Sequence, residues 1–64
     1  MRAWSKSLKA MVRAEAEHLM AEHGEKAVEV ARRAARIWRD KRNHSLARKY
    51  ALVAVYIAEQ SKSG

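Results

Sequence analysis

The chain contains no proline, and Gly24 is its only glycine before the C-terminal residue. Proline and glycine are the residues that most strongly interrupt helices, so long stretches of this sequence contain nothing that would stop one. Alanine occurs 13 times, and leucine, methionine, lysine, arginine and glutamate, which also favour helix, supply much of the remainder. The sequence therefore predicts an all-α fold in one domain over residues 1–64.

The few residues that favour turns divide this domain into three helices. Gly24 fits the position just past a helix end, and the triplet Asn43-His44-Ser45 offers side chains that cap a following helix. We expect a three-helix antiparallel bundle, or a helical hairpin plus an N-terminal helix. The predicted helices span about residues 5–23, 25–42 and 46–60, followed by a frayed tail at 61–64.

Apolar residues recur at helical spacing in each predicted helix, which indicates one buried stripe per helix. Helix 3 differs because it is apolar nearly all round, and such a helix is buried on both sides. A chain of this size hides only about 60% of its unfolded surface, so we expect dimerisation to complete the fold. The stripe residues are Trp4, Leu8, Met11, Val12, Ala16 and Leu19 in helix 1, Ala27, Val30, Ala31, Ala34, Ile37 and Trp38 in helix 2, and Leu46, Ala47, Tyr50, Val53, Ala54, Ile57 and Ala58 in helix 3.

The second apolar side of helix 3 is the predicted dimer interface. In an antiparallel contact centred between Val53 and Ala54, Leu52 of one copy meets Val55 of the other. An isologous interface requires this kind of self-complementarity. The alternative is that these residues are scattered surface apolars, which are common. The interface candidates are Arg48, Leu52, Val55, Tyr56 and Glu59, with Arg48 set against Glu59 of the second copy.

Charge is distributed unevenly along the chain, whose net charge is +7. Residues 1–13 carry only positive charges, residues 14–31 are mainly acidic, and residues 32–49 are strongly basic. Helices running up, down and up would gather both basic segments into one basic pole, suited to nucleic acid, an acidic lipid surface or an acidic protein. The alternative is a solvated surface that keeps the protein soluble. The polyanion-binding candidates are Arg32, Arg33, Arg36, Arg39, Lys41, Arg42 and Lys49.

No combination of residues predicts an enzyme, a metal site or a cofactor site. Glu15, His18 and Glu22 have spacing found in carboxylate-bridged metal bundles, but a polar helix edge is the preferred interpretation. The longest stretch without charge, Tyr50–Ala58, is nine residues long, whereas a membrane-spanning helix needs about 20. We therefore expect a cytoplasmic, bacterial protein with no catalytic residues, no metal and no cofactor.

Between about His18 and residue 60 the chain contains a set of helix-favouring residues at characteristic positions: His23-Gly24-Glu25, Ala27, Ala31, Arg33, Ala34, Ala47-Arg48 and Ile57-Ala58-Glu59. With these residues the chain resembles small bacterial helical-hairpin proteins. The resemblance implies a helical hairpin and no particular activity.

The favoured function is a non-enzymatic protein-interaction module that forms a homodimer through helix 3. The alternatives are binding of nucleic acid or another polyanion and, less favoured because of the seven acidic residues, a membrane-active basic helical peptide.

Overall fold

The computed structural model describes the backbone of residues 6–63 and the side chains of residues 8–62. Every regular element in this range is helical and none is a strand, which confirms the all-α prediction. No helix in the same range is long and apolar enough to cross a membrane. The elements are α1 (Lys6–His23), a 3-10 turn (Gly24–Lys26), α2 (Ala27–Asp40) and α3 (His44–Ser63).

Gly24 ends α1, as its position in the sequence predicts. Its φ of +58° lies in the left-handed region, which glycine enters without the steric cost that a side chain brings. An added Cβ would have no neighbour within 4 Å, so the demand for glycine comes from the backbone angle alone. Because residues 24–26 form a tight 3-10 turn, α2 begins at Ala27 and not at residue 25 as predicted.

The connection between α2 and α3 consists of three residues whose hydrogen bonds end one helix and begin the next. The Arg42 N–H donates to the Arg39 carbonyl at 3.0 Å, and the Asn43 N–H donates to the Trp38 carbonyl at 2.9 Å. This pattern is a Schellman motif, which satisfies carbonyl groups at a helix end. Arg42 holds its left-handed position with a φ of 63°. Asn43 Oδ1 then accepts the Leu46 N–H at 3.1 Å and caps α3.

Because of these hydrogen bonds, the helices begin and end at residues that differ from the predicted ones. The cap at Asn43 lets α3 begin at His44, two residues earlier than predicted, and the Schellman motif ends α2 at Asp40 instead of residue 42. At the other end, α3 continues to Ser63. Residues 61–63, predicted to fray, are therefore helical.

Replacing Asn43 with alanine should lower the free energy of unfolding by about 1 kcal/mol, because the Leu46 N–H loses its acceptor. Urea denaturation followed by circular dichroism measures the loss. Asn43→Asp is the matched control, since its side chain keeps an oxygen in the capping position. Equal losses for the two variants would contradict a capping role.

All three helices contribute to one core. α2 makes its most extensive contact with α3, while α1 packs mainly against α3 and less against α2. Every buried residue belongs to a predicted stripe, so the helix phases are confirmed for these positions. The buried residues are Val12, Ala16, Leu19, Ala27, Ala31, Val53, Ala54 and Ile57.

Some residues of the predicted stripes are not buried. Met11 is 50% exposed and Ile37 is 46% exposed, while Ala34 and Trp38 are half-buried. The Cα atoms extend over 30 × 28 × 16 Å. Lys9 and Arg13, near the start of α1, lie beside the C-terminal half of α3, so the start of α1 does not lie beside the start of α3, as helices running up, down and up would require. Trp4, also predicted in the core, lies outside the described residues.

Candidate functional site

The first candidate site is an apolar groove between α1 and α3, which we call the α1–α3 groove. It encloses about 550 Å³. Leu52 and Tyr56 are half-buried in it and pack against the core, whereas Val55 is 55% exposed. Its lining consists of Lys9, Ala10, Val12, Arg13, Leu52, Val55, Tyr56 and Glu59.

Four of the five predicted interface residues line this groove, and the fifth, Arg48, does not. The expectation that the chain itself leaves the outer side of α3 uncovered is wrong in part, because α1 forms the opposite wall. Lys9 and Arg13 were not predicted as site residues. They lie beside the apolar stripe of α1, but helical spacing alone does not say which neighbouring helix a stripe edge will face.

A second groove, which we call the α2–α3 groove, lies between those two helices and encloses about 520 Å³. Val55 and Glu59 line both grooves and therefore form the ridge that separates them. The lining is unusual in combining small apolar side chains with several cations. It consists of Ala35, Ala51, Ala54, Ala58 and Val55, together with Arg32, Arg36, Arg39, Lys62 and Glu59.

The four predicted arginines of α2 are all exposed. Arg32, Arg36 and Arg39 line the α2–α3 groove, and Arg33 lines a recess of about 230 Å³ with Arg32, Arg36 and Glu29. Among the side chains of residues 8–62, no carboxylate lies within 4.0 Å of any of these four guanidinium groups. Their charge is therefore available to a ligand.

The positive charges do not gather at one pole as predicted. Lys9 and Arg13, near the start of α1, lie beside the C-terminal half of α3 in the α1–α3 groove and not beside its start. The arginines instead run along α2. At its end, the Lys41 ammonium lies 5.9 Å from the centre of the Trp38 ring, and Arg42 belongs to the connection before α3.

Lys49, also predicted to bind a polyanion, is occupied within the molecule. Its Nζ lies 4.0 Å from a carboxylate oxygen of Glu15 and 5.3 Å from the centre of the Tyr50 ring. The Lys49 and Glu15 side chains are only 17% and 26% exposed, so this pair is better shielded than a surface ion pair. The packing of α1 on α3 brings these two residues together.

Tyr50 belongs to the same cluster as Lys49 and Glu15. Burial raises the pKa of the Tyr50 phenol, and the negative charge of Glu15, together with the hydrogen bond that the phenol donates to it, raises that pKa further. Loss of the tyrosine proton would place a second negative charge beside Glu15. The cluster therefore joins α1 to α3 while the tyrosine remains neutral.

Glu15, His18 and Glu22, which have metal-site spacing in the sequence, do not point toward a common site. Glu15 faces Lys49, whereas His18 and Glu22 form an exposed pair with Nε2 and Oε2 3.7 Å apart. Within the described part of the chain, no group of three or more histidine, aspartate or glutamate side chains is placed to hold a metal ion. Arg13 and Glu17 form a further exposed pair, with Nε and Oε2 3.3 Å apart, which contributes about 0–1 kcal/mol at most.

Comparisons with known proteins add no identification. No family model, curated protein or solved structure matches the chain. The inference of function therefore starts from the two grooves and the side chains that surround them.

Proposed function

We propose that the protein is a non-enzymatic interaction module, in which α2 and α3 form a helical hairpin, α1 is an added N-terminal helix, and α3 mediates self-association. One observation supports this most directly. Val55 is 55% exposed on the ridge beside an apolar groove that Leu52 and Tyr56 line. The same short segment thus supplies both a projecting apolar side chain and an apolar recess.

In an antiparallel contact between two copies of α3, Val55 of each copy enters the α1–α3 groove of the other and meets Leu52. Full burial of a wholly exposed valine contributes about 1.5–3 kcal/mol. Val55 is 55% exposed, so each copy gains about half of this, and the two-fold symmetry makes the contribution twice. The charge pair between Arg48 and Glu59 of the second copy adds about 0–1 kcal/mol. Lys9 and Arg13 lie at the groove rim near Glu59 and repel the incoming Arg48, which weakens this charge pair. Apolar burial therefore supplies most of the affinity.

Val55→Glu should convert a dimer at about 100 µM into a monomer, because it places a carboxylate in the apolar contact of both copies at once. Sedimentation equilibrium measures the change. Met11→Glu is the matched control, since Met11 is 50% exposed, undergoes the same change of charge and lies outside the groove lining. A parent chain that is monomeric, or a Val55→Glu variant that remains dimeric, would exclude self-association through this face.

A second candidate function, polyanion binding, is supported by a different observation. Arg32, Arg36 and Arg39 are exposed, have no carboxylate within ion-pair distance among the described side chains, and line one wall of the α2–α3 groove. Their spacing along α2 corresponds to rises of about 6 Å and about 4.5 Å. A row of cations at such intervals suits a ligand with repeated negative charges.

A further inference from the structure

The α2–α3 groove has an apolar floor between charged edges. Ala51 and Ala58 on α3 lie opposite Ala35 on α2, and Ala54 lies among them. Small side chains on two packed helices leave a shallow channel into which the ridge of another helix fits. Among the described side chains, none of α1 lines this groove, so α2 and α3 form both of its walls.

The core of the protein shows how α2 and α3 accept a helix. Where the three helices meet, Ala16 of α1 and Ala27 and Ala31 of α2 are each 0% exposed. Alanines therefore let the helices approach closely enough to exclude solvent completely. The α2–α3 groove repeats this alanine-rich surface without a covering helix, and it differs by having arginines along one edge.

The charges along the groove restrict the chemical nature of a ligand that binds there. Arg32, Arg36, Arg39 and Lys62 are opposed by the single carboxylate of Glu59. A ligand that lies on the alanine floor meets cations at both edges, so it needs negative charge on its flanks and small apolar groups beneath. A nucleic-acid backbone has the charge but no apolar underside.

We propose that the α2–α3 groove binds an acidic amphipathic helix of a partner protein. The small apolar side chains of the partner helix lie on the alanine floor. The carboxylates of that helix, spaced at i, i+4 and i+7, pair with the arginines of α2. Helix-in-groove recognition of this kind combines an apolar stripe with flanking charge. The inference rests on the proposal that these arginines bind a polyanion, and it specifies which class of polyanion.

The test uses a fluorescently labelled synthetic helix of about 18 residues, with alanine on one face and glutamate flanking it at i, i+4 and i+7. Fluorescence anisotropy measures its binding to the 64-residue protein at about 50 mM salt. A scrambled peptide of identical composition, with glutamates on all sides, serves as the reference. We expect the patterned peptide to bind about tenfold more tightly than the scrambled one.

Two alanine variants separate groove binding from general charge attraction. Ala51 is exposed and lines the floor, so Ala51→Leu fills the groove without entering the core. Ala14→Leu is the matched control on an exposed position of α1. We expect Ala51→Leu to weaken binding of the patterned peptide about tenfold and to leave binding of duplex DNA unchanged. Ala14→Leu should affect the binding of neither ligand.

Equal affinity for the two peptides, or insensitivity to Ala51→Leu, would overturn the inference. Salt-dependent binding of duplex DNA, without preference for the patterned peptide, would leave polyanion binding standing and show that the ligand is a phosphate backbone. Failure of every anionic ligand to bind would overturn both proposals. Circular dichroism of each variant establishes that the helical fold is retained.

Discussion

Replacing Ala31 with leucine should lower the free energy of unfolding by about 1–3 kcal/mol, because extra methylenes in a filled core displace neighbouring side chains or backbone. Ala31 is 0% exposed and lies where α2 meets the core residues of α1 and α3. In a domain of this size, such a change lowers Tm by about 4–8 °C per kcal/mol. Differential scanning calorimetry or thermal circular dichroism measures the shift.

Ala34→Leu is the informative comparison, because Ala34 lies one turn later on the same predicted stripe. It is half-buried, not fully buried, so leucine has room to extend and the loss of stability should be smaller than at Ala31. Ala14→Leu, on the exposed side of α1, should leave Tm unchanged. A larger loss at Ala34 than at Ala31 would mean that α2 is rotated relative to the structure described above.

Replacing Arg32, Arg36 and Arg39 together with glutamine should weaken binding of duplex DNA, used as a generic polyanion, by about 10²–10³-fold at about 50 mM salt. Each phosphate contact releases a counterion, and this release is lost with the contact. The negative slope of log K against log salt should therefore become shallower by about 3. Titrations at several salt concentrations, read by fluorescence anisotropy, measure both quantities. Because backbone contacts carry no sequence information, the loss should be similar for unrelated duplexes.

A variant with the same loss of charge elsewhere provides the control. Lys9, Arg13 and Lys26 are exposed and lie outside the α2–α3 groove, so changing all three to glutamine removes three charges without affecting the arginines of α2. Its affinity for duplex DNA should fall much less. Equal losses in the two variants would show that net charge alone drives binding, and an unmodified protein that does not bind at about 50 mM salt would remove this candidate.

The helices, their two connections and the identity of the core follow from the sequence because they depend on local preferences. A positive φ at Gly24 and a cap at Asn43 are properties of a few adjacent residues. Among residues 8–62, the buried side chains lie on stripes that helical spacing predicts. Helix ends were predicted less well, because the Schellman motif at Arg42 and the helical residues 61–63 depend on backbone hydrogen bonding that composition does not reveal.

Four of the five residues predicted for the interface line one groove for a similarly local reason. Leu52, Val55, Tyr56 and Glu59 share one side of a single helix, so any packing that leaves this side outward keeps them together. The sequence did not show that α1 would form the second wall of their groove, and Arg48 falls outside it. Self-association through this surface remains a prediction for the sedimentation experiment.

By itself the sequence determined that this chain is all-helical, where its helices turn, and which face of each helix meets the core. Only the tertiary structure decided how α1 packs on α3, which places Lys9 and Arg13 beside Val55 and Lys49 beside Glu15. Helical spacing specifies which residues share a face but not the angle at which two faces pack. That angle follows from how the side chains of the packed helices fit together.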